Sequence, residues 1–303
     1  MMTTLTTHPY RPLFGWTECM LLLVAIFWGA SYGLTKDALM YIGVFSFIGI
    51  RFGLTFLMLL PVLVRDFKQG KNQDWLRALP TGLVLSGIFV CEVSGVLYTS
   101  ATNAAVLISL SMILTALAET LINRSRVSAS LWLMGMLSCL GVLLLSLHSG
   151  FNLSFNLGDG LILLAAVGRA IMITLTKRLT HNRSISMLSL TAIQSLVVTL
   201  MATIVGWGSG ESIAWSSLSL PAFWLITLYL VLMCTLFAFF AQNLAISRTS
   251  PTRVALLMGS EPLFGALFAM LWLGESLYLI QWLGALLIIA SVMRVSTSRR
   301  ESM

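Results

Sequence analysis

The chain has 303 residues, is 58% hydrophobic and only 10% charged, and carries a formal net charge of +7, with a mean hydropathy of +0.93. A soluble domain would carry roughly 25% charged residues; here there is too little polar surface to cover a globule in water, so the solvent must be lipid. The positive balance does not build a nucleic-acid face, because the basic residues are scattered between apolar runs and form no stripe or motif.

Apolar stretches near 20 residues recur along the chain, the length of helix that spans a hydrocarbon core of about 30 Å. Helices are expected at 18–39, 41–64, 79–97, 104–122, 129–147, 158–176, 186–207, 221–244, 252–273 and 277–293. The longest connections, 65–78 and 208–220, are too small for a separate domain. A β-barrel would alternate apolar and polar residues over about ten positions, and these runs are continuously apolar. The predicted fold is an all-α polytopic membrane protein with ten transmembrane helices.

Lys and Arg positions give the orientation. The N-terminus and every second loop hold Arg11; Arg65, Lys68, Lys71 and Arg77; Arg124 and Arg126; Lys177, Arg178 and Arg183; Arg248 and Arg253; and Arg294, Arg299 and Arg300. The alternate loops hold only Lys36, while Arg51 and Arg169 fall inside helices. Both termini are therefore expected in the cytoplasm, and the chain in a bacterial inner membrane. The first apolar stretch exceeds the roughly 7–15 residues of a secretory signal and is read as a retained helix.

Cys19, Cys91, Cys139 and Cys234 lie within spans, and His8, His148 and His181 lie outside or at helix ends. Neither set has metal-ligand spacing, so no metal or cofactor is expected. The chain lacks a Ser-His-Asp arrangement and a GxxxxGK[ST] loop, which argues against an enzyme and against ATP-driven transport.

A shift of 150 positions brings Ser100 onto Ser250, Thr102 onto Thr252, Ala105 onto Ala255, Leu107 onto Leu257, and Trp132–Leu133 onto Trp282–Leu283. The first helix, LLLVAIFWGASYGLTK, also echoes the sixth, LILLAAVGRAIMITLTK. The expected repeats cover 18–147 and 158–293. Five helices is an odd number, so the second copy enters from the other side, an inverted five-plus-five arrangement that places a substrate site near the midplane.

The segment TSPTRVALLMGSEPLFGALFAMLWLGESLYLIQWLGALLIIASV resembles the closing pattern of the EamA-type drug/metabolite transporter superfamily, at Ser250, Pro251, Ala255, Glu261, Pro262, Leu273, Gly274, Glu275, Gln281 and Gly284. The opening FWGASYGLTK is similar to the family's first-helix pattern at Trp28, Gly29 and Lys36. In the first copy Ser111 and Met112 replace the Glu-Pro pair, and Arg169 stands where the family usually has an aromatic residue. The resemblance implies export of amino acids, metabolites or amphipathic compounds, or exchange of nucleotide sugars or sugar phosphates. It also implies that the fifth and tenth helices are peripheral, against lipid or a second copy in a homodimer.

The most informative residues are charges inside spans: Arg51, Glu92, Arg169 and Glu261. Each costs roughly 2.5–3.5 kcal/mol at a helix centre, so they must line a wet cavity or pair with one another. They divide as one arginine and one carboxylate per repeat. Trp28, Tyr32 and Thr35 share a face of the first helix, Ser111, Thr115 and Glu119 of the fourth, and Thr235, Ala238 and Gln242 of the eighth. Gln194 is the counterpart of Arg51 in the seventh. The expected substrate site is Trp28, Tyr32, Arg51, Glu92, Ser111, Thr115, Arg169, Gln194, Gln242 and Glu261, taking a small-molecule substrate. The competing reading is that hydroxyls and ion pairs only pack helices. Pro262 is expected to kink the ninth helix, and Glu275 to cap a helix boundary.

Overall fold

A computed structural model describes residues 15–147, 155–211, 220–273 and 277–297. Arg11, His8, His148, Arg299, Arg300, Gly274 and Glu275 lie outside these residues. The first span is α1 (Trp16–Gly29) and α2 (Ser31–Ala38), bent by 43° at Ala30. The second is α3 (Val44–Lys68), and the third is a 3-10 turn (Trp75–Arg77) running into α4 (Ala78–Tyr98). The fourth is α5 (Ala101–Ser109) with α6 (Ser111–Ile122), and the fifth is α7 (Ala129–Ser146).

In the second half α8 (Leu157–Thr180) and α9 (Met187–Gly208) are continuous. The eighth span joins α10 (Pro221–Val231) through a π turn (Leu232–Phe237) to α11 (Ala238–Arg248). The ninth is α12 (Pro251–Met258) with α13 (Glu261–Leu273), and the tenth is α14 (Leu279–Thr297). Among the described residues, eight stretches are each long and apolar enough to cross a membrane, and the bent first span makes a ninth. The interrupted α12–α13 stretch, counterpart of 101–122 in the other repeat, completes ten.

The repeat is visible in the capping chemistry. Ser100 accepts from the Asn103 N–H at the start of α5, and Ser250 accepts from the Arg253 N–H at the start of α12, each satisfying a backbone donor that a helix start leaves unpaired. Helices restart at Ser111 and at Glu261, again 150 positions apart. Gly259 lets these breaks meet, since a Cβ there would collide with the Met112 sulfur.

Helices on the internal two-fold exchange ends. The antiparallel pair α3 and α9 is closed at one end by Asp66, which accepts from the Ser186 and Ser189 hydroxyls at 2.5 and 3.1 Å. At the other end Glu211 accepts from the Phe45 and Ser46 N–H groups at 3.2 and 2.8 Å. Asp66 lies in the last turn of α3 and Glu211 just beyond α9, and each meets the start of the other helix, where the helix dipole favours negative charge.

Pro262 does not kink a continuous helix. The chain breaks before it, at Gly259–Ser260, and Pro262 follows Glu261 at the start of α13. There its missing N–H is one of the donors that a first turn leaves unpaired anyway. The fifth and tenth spans, α7 and α14, have each other as principal partner, a contact that an expectation of lipid or a second copy omitted. A Cβ on Gly141 would lie 2.8 Å from the Gly284 carbonyl oxygen, and one on Gly284 would strike the Gly141 oxygen. Small residues let helix backbones approach where lipid offers no hydrophobic drive. Gly284→Leu is expected to cost about 1–3 kcal/mol by overpacking; a melting midpoint in detergent unchanged from the parent would contradict this contact.

Candidate functional site

Two irregular stretches facing each other build the site. The bend at Ala30 leaves carbonyls near the end of α1 in need of donors. The Ser31 hydroxyl donates to the Trp28 oxygen at 2.8 Å, and Tyr229 Oη donates to the Phe27 oxygen at 3.1 Å. Opposite, the π turn alters the backbone ladder of the eighth span, and the Cys234 carbonyl within it accepts from two side chains. Trp28 Nε1 donates to it at 2.9 Å and Arg51 Nη2 at 3.4 Å. Arg51 Nε donates to Thr235 Oγ1 at 2.7 Å. One carbonyl therefore orients both the indole and the guanidinium.

Arg169 in α8 is the hub of an ion-pair network. Its Nη2 lies 2.9 Å from Glu92 Oε2 and its Nη1 lies 3.5 Å from Glu261 Oε1. Nη2 also donates to Tyr32 Oη at 3.4 Å, and Tyr32 Oη donates to Glu261 Oε1 at 3.1 Å. The guanidinium carbon stands 4.7 Å from the centroid of the Trp28 ring, a favourable cation–π placement. Aligning Lys36 with Lys177 makes Trp28 and Arg169 repeat counterparts, and here they stack on one another.

The pairing differs from one arginine and one carboxylate per repeat. Arg169 serves both carboxylates across the junction, and Arg51 has no carboxylate within 4.0 Å among the described residues. Arg51 is only 4% exposed, with its charge over the Phe89 ring at 5.1 Å. A small pocket lies between Trp28, Ser31, Tyr32, Thr35, Arg51, Phe89, Glu92, Val93, Val96 and Arg169, with an open volume of about 10 Å³, room for roughly one water.

Trp28, Tyr32, Arg51, Glu92 and Arg169 thus line one pocket, with Glu261 buried behind Tyr32 and Arg169. Ser111, Thr115, Gln194 and Gln242 are outside that lining. The Thr115 hydroxyl is spent on the Ser111 carbonyl at 2.6 Å. Gln194 donates to Thr81 Oγ1 and accepts from Asn243 Nδ2, both at 2.9 Å, tying α4, α9 and α11 together. Gln242 Nε2 contacts Met172 Sδ at 3.7 Å. Spacing marked these four as polar in a span without showing that Thr115, Gln194 and Gln242 already have partners in their own layer.

Each end of the bundle carries a latch. Lys36, next to pocket residue Thr35, donates to the Thr99 oxygen at the end of α4, 3.3 Å away. Its counterpart Lys177 donates to the Ser247 oxygen near the end of α11, 3.2 Å away. On that second, arginine-rich face Glu119 Oε2 accepts from the Thr252 N–H at 2.8 Å and from its hydroxyl at 2.6 Å. The aromatic rings of Phe52, Phe89 and Phe239 pack edge-to-face or tilted, with centroids 4.5–6.2 Å apart. Among the described residues no cluster of three or more His, Cys, Asp or Glu side chains could hold a metal ion.

The profile of the EamA-like transporter family matches this chain twice, over residues 15–147 and 156–297. An uncharacterized transporter of Archaeoglobus fulgidus is 28% identical over 289 residues, covering 91% of this chain and 84% of its own. The uncharacterized transporter YyaM of Bacillus subtilis is 23% identical over 287 residues, covering 91% and 92%. A solved crystal structure shares the fold with a TM-score of 0.77 at 14% identity, covering 95% of this chain and 99% of that one. With both repeats matched and the buried site at their junction, the chain is an integral membrane protein that belongs to the EamA-like transporter family.

Proposed function

We propose that the chain is a secondary exporter of amino acids or related small metabolites that works by alternating access. It sits in a bacterial inner membrane with both termini in the cytoplasm, and Trp28, Tyr32, Arg51, Glu92, Arg169 and Glu261 form its substrate site. The observation that carries this reading is a charged pocket where the two repeats meet, with a lysine latch on each side of it. Buried charge in a membrane core is costly, and a transport pathway is its usual justification. Symmetry-related latches suit a machine that opens one face at a time, as inverted repeats do.

The orientation rests on the arginine-rich loops. A reporter active only in the periplasm, fused after Met303, is expected to be silent; activity there would reverse the topology. Purified protein in proteoliposomes is expected to accumulate at least one radiolabelled amino acid above empty vesicles. No accumulation of any of the proteinogenic amino acids would reject the substrate class.

A further inference from the structure

The two arginines of the pocket are not equivalent. The charge of Arg169 is taken up by Glu92 and Glu261, whereas Arg51 is buried, hydrogen-bonds only to a hydroxyl and a carbonyl, and has no carboxylate within 4.0 Å among the described residues. Its Nη1 makes no hydrogen bond among the described residues, although the side chain lines the pocket. A buried cation without a direct ion pair is costly and calls for an explanation. Across the same pocket Glu92 gives Oε2 to Arg169, while Oε1 accepts nothing, and the side chain keeps 12% exposure.

We infer that Arg51 is the anion-binding subsite and Glu92 Oε1 the cation-binding subsite for a compact zwitterion, with Arg169 a fixed internal counter-charge that does not hold the ligand's anionic end. This rests on the transport reading above and names the division of labour within its site. The charges of Arg51, Arg169, Glu92 and Glu261 sum to zero, so a zwitterion enters without changing the balance of a dry site. A net anion would leave one buried charge unmatched, as would a net cation. Arginine's planar fork suits a carboxylate, and Arg51 keeps its second terminal nitrogen available for one. The Trp28 ring, fixed by the same Cys234 carbonyl that Arg51 uses, forms the wall between the two ends.

The test uses full-length protein in proteoliposomes and the amino acid that it accumulates best. Competitors are the unlabelled amino acid, its primary amide, which lacks the anion, and its N-acetyl derivative, which lacks the cation. Both derivatives are expected to compete at least tenfold more weakly than the parent compound in the wild type. In Arg51→Gln the amide and the parent should become equal competitors, while the N-acetyl derivative stays poor. Arg51→Lys should keep the preference for the carboxylate with a raised KM.

Arg51→Gln that still prefers the carboxylate tenfold overturns the assignment alone. Wild-type vesicles that accumulate none of the amino acids overturn the amino-acid substrate class and this inference with it. If Arg51→Gln elutes as aggregate, the wild-type comparison decides by itself, and an amide that competes as well as the acid overturns the proposal.

Discussion

Arg169→Gln is expected to lower stability by about 3–5 kcal/mol, because it strands two carboxylates inside the bundle. Glu92 Oε2 and Glu261 Oε1 would both lose their cation, and Tyr32 would face two like charges instead of a guanidinium between them. An apparent melting midpoint in detergent should fall by roughly 10 °C. The control is a triple variant, Arg169→Gln with Glu92→Gln and Glu261→Gln. Replacing every charge of the network by an amide removes the stranded carboxylates and should restore most of the stability, while transport stays at background. Arg51→Gln should melt close to the parent, since no carboxylate depends on Arg51. If Arg169→Gln melted like the parent, the ion pairs described here would not hold in solution.

The second large effect is on the arginine-rich face. Glu119 accepts both a backbone and a side-chain donor of Thr252 at the first turn of α12, and Lys177 crosses from α8 to the Ser247 oxygen. Hydrogen bonds to charged groups contribute about 1.5–3 kcal/mol each, enough to shift a two-state equilibrium by roughly 10- to 100-fold. Glu119→Ala should therefore raise the rate of thiol labelling at Gln242→Cys, buried on that side at 2% exposure, by roughly tenfold or more. Lys36→Ala should instead raise labelling of Thr35→Cys, beside the opposite latch. Equal effects of both latch variants on both reporters would mean general loosening, with no gate on either face.

Much of this architecture was legible in the sequence because hydropathy reports the solvent around each span, and lipid leaves a plain record. The shift of 150 positions set Ser100 against Ser250 and Ser111 against Glu261, and the structure makes the first pair helix caps and the second pair helix restarts. The intramembrane charges were also visible, since nothing else in the composition resembles them. Their pairing was not. It depends on the bend at Ala30 and on the π turn at Leu232–Phe237, and a run such as LMCTLF contains neither proline nor glycine to announce a change of helix type. The Cys234 carbonyl within that turn holds Trp28 and Arg51, a role carried by backbone that no reading of side-chain types could find. Glu211, in the connection 208–220, likewise closes the start of α3 in a way that its place in a short loop does not announce.

Ser111, Thr115, Gln194 and Gln242 were marked by helical spacing and lie outside the pocket lining. Helical spacing puts polar groups on a common face, but a hydroxyl can satisfy itself on the carbonyl four residues back, as Thr115 does. An amide can be absorbed by a neighbouring layer, as Gln194 is by Thr81 and Asn243. Polar character in a span therefore marks a need for partners, and only the three-dimensional packing shows whether that need is already met.

The central claim is that the pocket bounded by Trp28, Arg51, Glu92 and Arg169 is reached from each side of the membrane in turn. Ser31 lines that pocket, so a Ser31→Cys reporter in a chain lacking Cys19, Cys91, Cys139 and Cys234 tests it directly. Membrane-impermeant thiol reagent would be applied separately to right-side-out and inside-out vesicles. The account predicts labelling from both sides, slowed from both by the transported amino acid. Labelling from one side only, with or without that amino acid, would contradict it.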